Sequence, residues 1–116
     1  LAGILEFEEG IGVVSCSISS ARRERLEIVG TDGRITLDAP FRPDKAGGRM
    51  EITRGGDTTT ENFGPSEPYR LELEDFAAAV REGREPAAGP REILGNARAI
   101  GALVDSARSG GEAREV

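Results

Sequence analysis

An α+β fold, a predominantly antiparallel β-sheet of about six strands with two C-terminal helices packed on one face, follows from three features of the sequence. Short runs with alternating apolar residues, separated by Gly- and Asp-rich turn signals, fill residues 1–63. Within them, residues 26–41 read LEIVGTDGRITLDAPF, two apolar runs flanking Gly30-Thr31-Asp32-Gly33. Asp-Gly between such runs is among the stronger short-range hairpin signals. From Pro68 onward the apolar period lengthens to that of an amphipathic helix.

In chain order, residues 1–7 form the first strand, with Leu5 and Phe7 on one face and Ile4 and Glu6 on the other, and Glu8-Glu9-Gly10 offers a turn. Residues 11–19 form a longer second strand in which Val14, Cys16 and Ile18 share a face opposite Val13, Ser15 and Ser17. Leu26 and Ile28 continue the apolar face in the third strand, and Ile35 and Leu37 in the fourth. Pro40 and Pro43 then break the ladder, since proline lacks an N–H and restrains the residue before it. Met50 and Ile52 mark a fifth strand, Gly55-Gly56-Asp57 turns it, and the Thr-rich residues 58–63 return as a sixth strand at an exposed edge.

Tyr69, Leu73, Phe76 and Val80, widened by Ala77, recur at helical spacing, so a first helix spans residues 68–82. Pro68 suits its first position and Gly83 its C-terminal stop. A second helix begins at Gly89-Pro90, carries Ile93, Ala97, Ile100, Val104 and Ala107 with Leu94 and Gly101 beside them, and ends at Gly110-Gly111.

A chain of 116 residues and 12.3 kDa makes a single domain, residues 1–116, with one modest core. Aromatics are only 4%, so that core is built from aliphatic side chains and the four Phe. The net charge of −6, with Arg scattered among more numerous Asp and Glu, argues against a nucleic-acid surface. Arg22, Arg23 and Arg25 are better read as a solvated loop. No apolar run approaches the ~20 residues of a membrane span, so a soluble, cytoplasmic protein is expected. Cys16 excludes an internal disulfide and fits a reducing compartment. A buried small hydrophobe is the reading preferred for it, because a nucleophilic thiolate needs an activating base or a cationic pocket.

The chain has no His, hence no imidazole base, no His-ligated metal and no Ser-His or Cys-His pair. Glu6, Glu8 and Glu9 surround a turn, and Glu72, Glu74 and Asp75 lie on the first helix; a solvated acidic face outweighs a catalytic pair, which needs a pocket to raise its pKa. Gly30-Thr31-Asp32-Gly33 lacks the spacing of a phosphate loop and precedes a strand instead of a helix N-terminus. No catalytic, cofactor-binding or metal-binding residue is therefore assigned, and substrate contacts are unknown.

Four ordered stretches carry a family likeness: Leu-Glu-Ile-Val-Gly-Thr-Asp-Gly; Arg-Ile-Thr-Leu-Asp-Ala-Pro-Phe; Pro-Tyr-Arg-Leu-Glu-Leu-Glu-Asp-Phe-Ala-Ala-Ala-Val-Arg-Glu-Gly; and Ala-Leu-Val-Asp-Ser-Ala-Arg-Ser-Gly. Together they resemble the C-terminal domain of the Gfo/Idh/MocA oxidoreductases, the glucose-fructose oxidoreductase and inositol dehydrogenase relatives. The resemblance covers nearly the whole chain, from about residue 3 to residue 111. It implies a two-domain parent whose N-terminal Rossmann domain binds NAD or NADP and packs beside this one. It also implies a Glu-Lys-Pro lysine and an Asp/His pair, neither of which occurs here; Lys45 stands in an unrelated loop. The expectation is an NAD(P)-dependent sugar or polyol dehydrogenase of which this chain is the substrate-side and oligomerisation domain, inactive alone and holding no cofactor itself. That the chain opens on Leu1, already in strand-like sequence, fits a piece of something longer. A free-standing scaffold derived from the same fold is the alternative.

The resemblance further implies a helix-covered sheet face with Leu5, Phe7, Val14, Cys16, Ile18, Leu26, Ile28, Ile35 and Leu37. The opposite face, with Ile4, Val13, Ser15, Ser17, Val29 and Thr36, would associate into a homo-oligomer. Tyr69 is read as a stripe member with a wet hydroxyl in preference to a substrate contact.

Overall fold

The computed structural model describes residues 1–44 and 46–116. It has six antiparallel strands and two helices in the order β1 (Ala2–Phe7), β2 (Gly10–Ser15), β3 (Arg25–Gly30), β4 (Gly33–Asp38), β5 (Gly48–Arg54), β6 (Asp57–Phe63), α1 (Pro68–Glu82) and α2 (Pro90–Arg108). The α+β class holds. The strands divide between two sheets, β1-β2 and β3-β4-β5-β6, where the sequence suggested one. The chain likewise resolves into two compact units, Leu1–Ser20 with Gly83–Val116, and Ala21–Glu82.

In the first unit β1 pairs with β2 so that Gly3 faces Val14, Ile4 faces Val13 and Leu5 faces Gly12. Leu5, Phe7 and Val14 thus share the face expected of them. Helix α2 lies on that face: a Cβ on Gly3 would stand 2.5 Å from Leu103 Cδ2 and 3.8 Å from Val14 Cγ2. The missing side chain is what lets the helix approach.

Strand β2 stops at Ser15, short of the expected Ser19. Beyond it the hydroxyls compete for the backbone, as the Ser19 N–H donates to Ser17 Oγ at 3.2 Å and Ser20 Oγ donates to the same oxygen at 3.0 Å. Ile18 is left fully exposed. Cys16 lies just past the strand, exchanging backbone hydrogen bonds with Leu1, and its side chain is exposed instead of buried.

The second unit is a four-stranded meander. Leu26 opposes Leu37 and Ile28 opposes Ile35, and Leu37 and Ile35 in turn oppose Met50 and Ile52. These residues share one apolar face, to which Phe63 belongs by register. The β3–β4 turn closes on Gly30 opposite Gly33, which puts Thr31 and Asp32 at its centre. Neither has the positive φ of the primed turn that Asp-Gly would supply. Pairing of Leu26 with Leu37 and Ile28 with Ile35 fixes this register, and Gly33 serves another purpose: a Cβ there would run into the Thr53 carbonyl oxygen of β5. The β5–β6 hairpin, by contrast, turns on Gly55 (φ +59°) and Gly56 (φ +94°), the two left-handed residues of a type I′ loop.

Helix α1 has the bounds its stripe predicts, and Gly83 follows it at φ +66°. Helix α2 starts from Gly89 with Pro90 at its first position, and ends with the Gly111 N–H donating to the Ser106 carbonyl at 2.8 Å around Gly110 at φ +80°. That is a Schellman ending.

The helices are rotated from expectation. The half-buried or buried positions of α1 are Asp75, Ala78 and Ala79, whereas Tyr69, Leu73, Phe76 and Val80 are exposed. In α2 the covered positions are Ala99, Ala102, Leu103, Val104 and Ser106, so Val104 of the expected stripe is covered while Ile93, Leu94 and Ile100 are exposed. Helix α1 turns its small side inward, roughly a third of a turn from its large apolar stripe, whereas α2 covers Leu103 and Val104 together with small residues. Ala79, at 2% exposure, is the buried apolar side chain among the described residues.

Candidate functional site

The open face of the four-stranded sheet is the most ordered polar surface of the second unit. Register places Arg25, Asp38, Arg49 and Asn62 in one row across it, Glu27, Thr36, Glu51 and Thr60 in the next, and Val29, Arg34, Thr53 and Thr58 in the third. Alternate residues of a strand face the same way, so Arg25 reaches Glu27 at 3.4 Å, Arg34 Nε stands 3.8 Å from the same carboxylate, and Arg49 pairs with Glu51. Thr53 and Thr58 join hydroxyls at 3.0 Å across the β5–β6 pair. Thr36, expected on an open face, is buried at 6% exposure between the Glu27 and Glu51 positions. Glu27 and Glu51 each have an arginine partner, and the three arginines of the face stand against three carboxylates, so the surface is charged yet balanced. Such exposed pairs contribute about 0–1 kcal/mol each to stability.

Beside this sheet, the β4–β5 connection and the β6–α1 linker enclose an open cleft of about 270 Å³, lined among others by Leu37, Pro40, Pro43, Phe63 and Ser66. The loop is tied down by the Gly47 N–H donating to the Pro43 carbonyl at 3.0 Å. Ala39, on the cleft wall, has φ +53°, a left-handed conformation unfavourable for any residue with a Cβ and doubly so before Pro40. Nothing in the sequence signals this strain.

Glu24 accepts from Arg22 Nε at 2.9 Å through Oε1, while its Oε2 is buried without a hydrogen-bond partner. Arg42 donates to Asp44 at 3.3 Å, and this hydrogen bond, the charge of Asp44 and, more weakly, that of Glu24 hold its guanidinium pKa above the ordinary value. A basic group raised in this way keeps its full contribution below its unfolded pKa and loses it only as pH rises through the folded one. The Arg42 guanidinium therefore keeps its charge across the physiological range.

The residues weighed from sequence do not converge on a chemical centre. Glu8 and Glu9 form the exposed β1–β2 turn and Glu6 lies beside them in β1. Glu74 is 3.8 Å from Arg70 one helical turn away, and Tyr69 is 82% exposed. Gly30-Thr31-Asp32-Gly33 is a turn between strands, not a phosphate loop. Lys45 lies outside the described residues. Among the described residues no group of three potential metal-ligating side chains is found, and no helix is long and apolar enough to cross a membrane.

Comparison with known proteins places this geometry. The family model described as "Oxidoreductase family, C-terminal alpha/beta domain" matches residues 1–114. A relative from Haloferax volcanii, "D-xylose 1-dehydrogenase (NADP(+)) 2", is 31% identical over 112 residues, which are 95% of this chain and 34% of the relative. An "Uncharacterized oxidoreductase ORF334" from Rhizobium meliloti is 31% identical over 100 residues, 81% of this chain and 30% of that protein. The chain thus spans about a third of the length of the curated relatives it matches. No solved structure gives a significant match.

Proposed function

Because the chain belongs to the Gfo/Idh/MocA oxidoreductase family, as its C-terminal α/β domain, we propose that it is the substrate-side and assembly part of an NAD(P)-dependent sugar or polyol dehydrogenase and performs no hydride transfer by itself. The observation that carries the reading is the match over residues 1–114 to a domain that makes up only 34% of a D-xylose dehydrogenase. The residue chemistry agrees with it. The sequence has no His and its one lysine, Lys45, stands in no Glu-Lys-Pro, so the lysine and the Asp/His pair that the family likeness implies do not occur in it. The sheet instead offers an ordered scaffold: an apolar face on one side and a balanced lattice of Arg, Glu and Thr on the other.

In this reading the cofactor is NAD or NADP, held by a Rossmann domain of the parent, and the open sheet faces associate copies of the domain. Reading the coding sequence upstream of Leu1 tests it. A Gly-rich strand-turn-helix followed by Glu-Lys-Pro is the expected result. A start codon directly before Leu1 would overturn the reading in favour of a free-standing module.

A further inference from the structure

Strand β6 ends the four-stranded sheet, and all seven of its residues are exposed. The two-residue Gly55-Gly56 loop makes Arg54 and Asp57 the hydrogen-bonded pair that closes the hairpin. Hydrogen-bonded and non-bonded pairs alternate along an antiparallel ladder, so Asp57, Thr59, Glu61 and Phe63 direct their backbone groups at β5. Thr58, Thr60 and Asn62 therefore turn an N–H and a C=O each toward the edge. Natural edges are blunted by charged side chains, Lys above all, by Pro or by a bulge; β6, DTTTENF, has no Lys or Pro, its pairing with β5 is unbroken, and its two charges, Asp57 and Glu61, leave residues 58–60 uncharged.

We propose that β6 is an interface for a second copy of this chain, two β6 strands joining antiparallel about a two-fold axis at Thr60. The charges select that register. With the axis at Thr60, Thr60 meets Thr60 of the second copy, Thr58 meets Asn62, Thr59 meets Glu61 and Asp57 meets Phe63, so no like charges oppose. Moving the axis to Thr59 sets Asp57 against Glu61, and moving it to Glu61 sets Glu61 against itself; like charges directly opposite destabilise a pair. Only the Thr60 axis also pairs every outward group of Thr58, Thr60 and Asn62, giving about six hydrogen bonds between the copies. The contact is isologous and closes after two subunits, joining two four-stranded sheets into one. It uses the sheet edge, is distinct from association through the open faces, and does not rest on the proposed function.

The test is the mass of the chain in solution by light scattering, with far-UV circular dichroism to confirm folding. The expected mass is twice 12.3 kDa or an even multiple of it. Thr60→Lys sets two ammonium groups across the axis and is expected to halve the mass. Thr60→Glu does the same, and an equimolar mixture of the two variants restores the wild-type value. Thr60→Pro removes the outward N–H while leaving the β5 ladder intact, so it also halves the mass and decides the matter should the Glu variant fail to fold. A monomeric wild type overturns the inference. So does a mixture that does not reassociate, or a folded Thr60→Lys chain of unchanged mass; because the Thr60 side chain also lies on the open face, a folded Thr60→Pro chain that keeps its mass is the result that association through the open faces alone would give.

Discussion

Gly33 shows how a single residue joins turn to sheet. It sits at the end of the most recognisable stretch of the chain, where Asp-Gly suggests a left-handed turn, yet the structure uses its missing side chain to admit the Thr53 carbonyl of the neighbouring strand. Gly33→Ala is therefore expected to destabilise the second unit by about 1–3 kcal/mol, the usual cost of overpacking, because the obstacle is backbone and cannot swing aside. The denaturant midpoint measures it, and an unchanged midpoint would refute the close approach. Ala39 predicts the opposite sign. Its left-handed φ of +53° costs about 1–2 kcal/mol for a residue with a Cβ. Ala39→Gly recovers this minus the entropy of the more flexible chain, leaving a gain of roughly 0.5–1 kcal/mol in the same measurement.

The elements show which parts of the fold can be read in a sequence and which cannot. Helix α1 runs Pro68–Glu82 as its period, its proline and its glycine dictate, because those signals are local. Which side of the helix finds cover is decided by what lies nearby. Leu73, Phe76 and Val80 mark a stripe of the right period, but the chain sets the smaller Ala78 and Ala79 inward and leaves the stripe exposed. In α2, Ile93 and Ile100 are likewise left exposed, while Val104 is covered. Phe76→Ala in the isolated chain is accordingly expected to cost less than about 1 kcal/mol, against about 3–5 kcal/mol for a phenylalanine in a filled core. A thermal or denaturant melt of the variant checks it, and a core-sized loss would mean that the stripe is covered after all. Strand β2 fails earlier than its alternation suggests for a similar reason. Val14, Cys16 and Ile18 continue the pattern, but Ser17, Ser19 and Ser20 bond one another in place of a neighbouring strand. The apolar runs on either side of residues 30–33 form the expected hairpin, in a register that sets Leu26 opposite Leu37 and Ile28 opposite Ile35.

At the scale of the molecule, the exposed stripes and the missing chemistry describe one situation. A chain that covers about a third of its relatives leaves many of its large apolar side chains exposed, and carries no histidine and no described metal cluster. The family likeness was legible because it rests on turn residues and helix starts that the fold requires. The polar lattice on the open sheet was not legible as a whole: Arg25–Glu27 and Arg49–Glu51 are alternate residues of one strand, but Arg34 meets Glu27 only through register. Under the proposed function, this domain scaffolds a dehydrogenase without performing its reaction. Calorimetric titration of the isolated, folded chain with NADP or NAD tests that most directly. No saturable heat, and no rise in melting temperature with either dinucleotide, is the result expected. Stoichiometric binding with a melting temperature raised by several degrees would contradict it.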